Sequence, residues 1–184
     1  MHTAKTVPRT LHTSRLLRLP LVVALILCTS PSVATDLVGR ATSVADGDTI
    51  TVTTPDRARH RIRLDGIDAP ERTQPYSQIS RKNLLAMVDG QQVTVTSSKT
   101  DRFGRVVGIV RTERLHDVGL EQIKAGLAWH FKRYESEQTP ENRASYAAAE
   151  GIAKAARLGL WRDPEPVPPW EFRAKLQTPA MERP

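Results

Sequence analysis

The chain has 184 residues, of which 39% are hydrophobic and 26% charged, as expected of a globular domain with appendages. Its one cysteine, Cys28, excludes a disulfide framework and a cysteine-zinc site. The formal charge of +7 is no argument for a nucleic-acid partner by itself: four of the 27 basic residues and no acid lie in the first 34 positions, so the remainder carries only +3.

The chain opens with Arg15 and Arg18 ahead of an apolar run, Leu19–Cys28, and then small residues ending in Ser32-Val33-Ala34. That is the pattern of a secretory signal peptide, and the run is short for a membrane span. The expected organisation is a leader over 1–34, a globular domain over 35–162 and a proline-rich tail over 163–184. The expected product is an exported monomer, periplasmic or extracellular, with no stable membrane association after cleavage.

Val38–Val44 and Thr49–Thr53 are rich in β-branched residues and flank Asp46-Gly47-Asp48, which reads as two strands and a tight turn. Arg59–Leu64 alternates polar and apolar residues and predicts a third strand with one wet face. Pro70 and Pro75 then enforce a loop. Ser77–Val88 has helical spacing and stops at Asp89-Gly90. Val93 and Val95 mark a strand, Asp101–Gly104 a turn and Arg105–Arg111 the return strand. Val118–Ala125 predicts a helix with Gly126 as its cap. Thr139-Pro140 starts an Ala-rich helix that ends near Gly159. Leu158, Leu160 and Trp161 are expected to fold back on the core, and the segment beyond Trp161, DPEPVPPWEF, to run extended over the surface. Five short strands with helices between them predict a mainly β fold, a five-stranded OB-type barrel with about three helices.

Three stretches carry the chemistry: DGDTITV at Asp46–Val52, RLDGIDAPE at Arg63–Glu71 and DRFGR at Asp101–Arg105. Asp48 and Asp68 stand at strand ends and can converge on a hard cation, which prefers carboxylate and carbonyl oxygens. Two carboxylates, a backbone carbonyl and waters would bind calcium with a dissociation constant of about 10⁻⁴–10⁻³ M. Glu71, three residues past Asp68 and separated from it by rigid Pro70, suits a base that takes a proton from water. Arg63 and Arg105 supply permanent positive charge that can grip two phosphate oxygens at once. A cation and two arginines aimed at the equatorial oxygens of a phosphodiester would stabilise its transition state more than its ground state.

In order, spacing and context, these stretches and the later GLAW at Gly126–Trp129 resemble the staphylococcal-type thermonuclease (SNase-like) family over roughly Val38 to Trp161. The resemblance implies a calcium-dependent nuclease that cleaves the 5′ P–O bond of DNA and RNA and leaves 3′-phosphates. It implies that Asp48, Asp68 and the backbone carbonyl of Ala69 bind Ca2+, that Glu71 is the general base, and that Arg63 and Arg105 bind the scissile phosphate. Arg105 is expected to act electrostatically rather than as an acid, because its pKa exceeds about 12. Two aromatic positions of the family that stack on the nucleotide fall on Lys132 and Tyr134. Ala69 replaces the family's threonine, and the loop after Glu71 is shortened to Arg72–Tyr76. Single-stranded substrates are expected to be preferred.

Each residue also has a plainer reading: Asp46–Thr49 as a simple hairpin turn, Arg63 as an internal ion-pair partner, Trp129 as core. His130 is open between substrate contact and packing, and His60 and His116 are expected at the surface. The competing function is a non-catalytic OB-fold module that binds single strands.

Overall fold

The alternating apolar residues of the sequence become the inner face of a closed barrel. The computed structural model describes residues 35–177, so the predicted leader and residues 178–184 lie outside the described residues. Five strands form the barrel: β1 (Thr35–Val44), β2 (Thr49–Thr53), β3 (Arg59–Leu64), β5 (Gln92–Thr100) and β6 (Val106–Arg111). They are joined in the order β1-β2-β3-β6-β5, and β1 pairs with β5 to close the ring. All neighbours are antiparallel except β3 and β6, where Ile62 registers with Val106 and Arg63 with Val107. This is the mainly β, OB-type barrel that the pattern predicts.

The strands alternate inward and outward residues, with a bulge in β1 between Ala41 and Ser43 that resets the pattern. Ala41, Val44, Ile50, Val52, Ile62, Leu64, Val93, Val95 and Val110 are all buried, and burying each aliphatic side chain of this size contributes about 1.5–3 kcal/mol. The helices α1 (Ser77–Val88) and α2 (Val118–Lys124) add Leu84, Val88, Val118 and Ile123 to the same core. Asp117 caps α2 by accepting the Leu120 N–H, and its other oxygen accepts the Tyr146 hydroxyl at 2.7 Å. Thr139 caps α3 (Pro140–Ala155) by accepting the Asn142 N–H, with Pro140 in the first turn as predicted. Gly126 adopts a positive φ of 67° because the chain passes so close there that a Cβ would lie 2.3 Å from the Leu158 carbonyl oxygen.

Two features depart from expectation. Ile67–Asp68, β4, pairs with Trp129–His130, β7, in a small second sheet outside the barrel. The tail is not extended throughout: after the proline-rich stretch it forms a fourth α-helix, α4 (Pro169–Gln177). Its neighbours are the aromatic rings of the domain. Trp170 lies 5.6 Å from Trp129 and 5.6 Å from Phe131, centroid to centroid, and Trp129 lies 4.3 Å from Trp161. Among the described residues, no helix is long and apolar enough to cross a membrane.

Candidate active site

The β1–β2 turn carries Asp48 to the rim of the barrel, where a buried polar network holds the loop. Gln122 of α2 donates its side-chain amide to the Gly47 carbonyl at 2.7 Å and to the Ser80 carbonyl at 3.1 Å. The Ser80 hydroxyl in turn donates to the Leu127 carbonyl at 2.7 Å. A Cβ at Gly47 would lie 1.9 Å from the Ser80 Oγ, so only glycine fits where the turn crosses α1.

In β3 the inward residues are Ile62 and Leu64, so Arg63 between them faces out, opposite Thr49. Its guanidinium turns to the turn's carboxylate. Nη1 donates to Asp48 Oδ2 at 2.6 Å, and Nη2 to Asp68 Oδ1 at 3.1 Å and to the Ile67 carbonyl at 3.0 Å. Asp48 also accepts the Ala69 N–H at 3.1 Å and the Thr49 hydroxyl at 2.9 Å. Burial opposes its ionised form, but Arg63 and the Ala69 N–H outweigh this and hold its pKa below the usual carboxylate range. For Asp68, burial dominates and raises the pKa despite its arginine partners, and the Asp48 charge adds to the rise. Burial, followed by the Asp48 charge, pushes Asp46 up to about 6. Arg63 responds in kind: burial opposes its charge, but the two aspartates raise its pKa and keep it protonated.

Glu71 follows on the Pro70 loop. Its N–H donates to Gln74 Oε1 at 3.1 Å, and its carbonyl accepts the Gln74 N–H at 2.7 Å. Its carboxylate meets a residue that sequence reasoning missed. Arg173 of α4 donates from Nη1 to Glu71 Oε1 at 2.6 Å and from Nη2 to Asp68 Oδ2 at 2.8 Å, with a longer contact of 3.3 Å from Nη1 to Asp68 Oδ1. The signal for this helix was present. Pro169 occupies a first helical turn, and Trp-Glu-Phe-Arg-Ala-Lys-Leu-Gln follows without another breaker.

The structure thus brings Asp48, Arg63, Asp68, Ala69 and Glu71 together. Arg105 makes none of these contacts. It precedes β6, next to β3, but its Nε and Nη2 both donate to Asp101 Oδ2, at 2.8 and 2.7 Å, and its guanidinium lies 5.5 Å from the Phe103 ring centre. Lys132 and Tyr134 sit in a 3₁₀ segment, Lys132–Glu137. Lys132 faces the buried Glu150 at 3.5 Å, and the exposed Tyr134 lies edge-on to Phe131 at 5.5 Å, beneath Lys99. His130 is a packing residue: it is buried, and its Nε2 hydrogen-bonds to Gln138 Oε1 at 2.8 Å. Trp129, expected in the core, is half-buried among the rings that receive α4.

Among the described residues no group of three or more His, Cys, Asp or Glu gathers as a ready metal cage. The donors at the cluster are nonetheless all oxygens. Two buried carboxylates, Asp48 and Asp68, lie close enough to share Arg63 and to draw a second guanidinium. That donor chemistry fits a hard divalent cation held weakly.

The staphylococcal nuclease homologue family matches residues 61–163. An Escherichia coli protein named as an uncharacterized endonuclease is 37% identical over 143 residues, covering 78% of this chain and 89% of the relative. A Shigella flexneri protein named micrococcal nuclease is 34% identical over 158 residues, covering 82% and 88%. A Haemophilus influenzae protein, again named as an uncharacterized endonuclease, is 33% identical over 134 residues, covering 73% and 71%. With the barrel, the rim carboxylates and this match over more than half its length, the chain belongs to the staphylococcal nuclease homologue family.

Proposed function

We propose that this nuclease of the SNase-like family is an exported, calcium-dependent phosphodiesterase that acts on DNA and RNA, prefers single strands and leaves 3′-phosphates. One observation carries the reading: two buried aspartates, an arginine and a glutamate from three separate chain segments share one rim of the barrel.

In this reading Asp48, Asp68 and the Ala69 carbonyl hold Ca2+. A bound divalent cation supplies Lewis acidity and offsets charge on the phosphoryl oxygens. The chain's own residues do the rest. Glu71 takes the proton from the attacking water, a role worth about 10²–10⁴-fold. It is half-exposed, so water reaches it, and the Gln74 bonds to its backbone on both sides fix its loop. Arg63 sets the two aspartates in place and presents its remaining N–H groups to the phosphate. Arg105 exchanges Asp101 for a phosphate oxygen when substrate binds, and stabilises the developing charge. Tyr134 offers an exposed ring for a base to stack on, and Lys132 a charge for the backbone.

The test is incubation with denatured DNA, in calcium and in chelator. The expected result is cleavage in calcium alone, with mass spectrometry showing 3′-phosphate ends. Cleavage unaffected by chelator removes calcium from the reaction. Binding without cleavage in either condition makes the protein a single-strand-binding module instead.

A further inference from the structure

The contact that no motif accounts for is Arg173. It bonds to both oxygens of Asp68 and reaches one oxygen of Glu71, so one side chain engages both the acid assigned to the cation and the acid assigned to the proton transfer. A guanidinium and a divalent cation need the same carboxylate lone pairs and repel each other, so both cannot occupy the outer edge of Asp68. The Arg173 charge on Glu71 Oε1 also makes that carboxylate a weaker acceptor for a proton from water.

The arm bearing Arg173 is fastened elsewhere. Gln74, whose Oε1 accepts the Glu71 N–H, donates its Nε2 to the Val167 carbonyl at 2.5 Å. Trp170 inserts between Trp129 and Phe131. Prolines at 164, 166, 168 and 169 stiffen the approach. The fit is not tight, however. A cavity of about 130 Å³ remains between tail and domain, lined by Pro70, Gln74, Trp129, Leu160, Val167 and Phe172. Besides Arg173, the Trp170 ring and the Val167 carbonyl thus fasten this arm to the domain, with open space beside them.

We infer that the C-terminal helix is an intramolecular cap, in which Arg173 acts as a tethered counter-ion that holds Asp68 and Glu71 closed until a divalent cation displaces it. The inference rests on the nuclease reading for the roles of those two acids. The cap pairs Asp68 and Glu71 in the metal-free protein and makes cation binding and site opening one event.

Calorimetric titration of the full chain with calcium chloride tests it, comparing wild type with Arg173→Ala and Trp170→Ala. Each variant removes the competitor or its anchor without touching a proposed ligand. Both are expected to bind calcium about 3- to 10-fold more tightly than wild type, the worth of a partly exposed, charge-assisted pair. In wild type, calcium is expected to speed hydrogen exchange in the amides of α4. Calcium affinity that is unchanged or weaker in Arg173→Ala overturns the cap, and if cleavage also falls, Arg173 acts on substrate instead. Tighter calcium binding without cleavage of DNA or RNA by any of the three proteins supports the cap and sinks the nuclease reading. No calcium binding by any of them overturns the cap, and persistent cleavage would then leave the nuclease reading standing.

Discussion

Arg63 and Arg173 both bond to Asp68, yet the molecule holds them in different ways. Arg63 projects from a barrel strand, is 16% exposed, and spends three hydrogen bonds on Asp48, Asp68 and the Ile67 carbonyl. Arg173 projects from a terminal helix, is 38% exposed, and touches the domain through two carboxylates. The first belongs to the framework, because removing it would leave the buried Asp48 without its cationic partner. The second shares only Asp68 with it, pairs otherwise with the half-exposed Glu71, and leaves Asp48 untouched. One carboxylate cluster thus has a partner fixed in the barrel and a partner carried on the tail, and the cap inferred above gives the second the place of the proposed cation.

The difference can be sharpened by substitution. The largest loss of stability is expected for Arg63→Ala, at about 3–5 kcal/mol, because a buried pair is broken and the acids remain. Urea unfolding would measure it, and a loss under about 1 kcal/mol would put Arg63 in the same class as Arg173. Glu71→Gln comes next and acts on rate instead: turnover is expected to fall about 10²–10⁴-fold with DNA affinity little changed. Single-turnover kinetics at near-normal rates would exclude Glu71 as the base. Gln122→Ala tests the framework without touching an acid. It leaves the Gly47 and Ser80 carbonyls without their buried donor, at about 1–3 kcal/mol. An unchanged unfolding midpoint would show that the Asp48 turn does not depend on that network.

The smallest effect belongs to Asp101→Asn. Burial opposes the Asp101 charge, but the Arg105 N–H and guanidinium and the Phe103 N–H hold its pKa below 3.8. A carboxylate depressed in this way stabilises the fold above its ordinary pKa and loses that contribution as pH falls through the folded value. The wild type should therefore lose a small increment of thermal stability below pH 3.8 that the asparagine variant never has. Parallel melting temperatures from pH 7 to 3 would show instead that the ion pair has no weight.

The barrel was legible because its strands alternate, and the rim acids were legible because they cluster in sequence around turns. Asp48, Arg63 and Asp68 meet because β2 and β3 are neighbours and the chain turns back at once into β4, all within about twenty residues. What could not be read depended on distant partners. β4 and β7 have two residues each and exist only because they find one another. The orientation of Arg105 toward Asp101 rather than the cluster is a side-chain choice that spacing does not encode. The tail was misread for a different reason: its prolines dominated the pattern and hid six good helix formers among the eight residues that follow Pro169. Arg173 lies about one hundred positions from its carboxylates, and no local signal connects them.

The chain's three tryptophans, 129, 161 and 170, all gather at the seam where α4 meets the domain. Ultraviolet emission from this protein therefore reports on that seam and hardly at all on the barrel, while far-ultraviolet dichroism sees chiefly the strands and longer helices. In a refolding experiment the two signals should separate in time, with dichroism recovering first and emission following as the tail docks. The molecule carries its own spectroscopic label where its terminal helix docks, and no dye is needed to watch it.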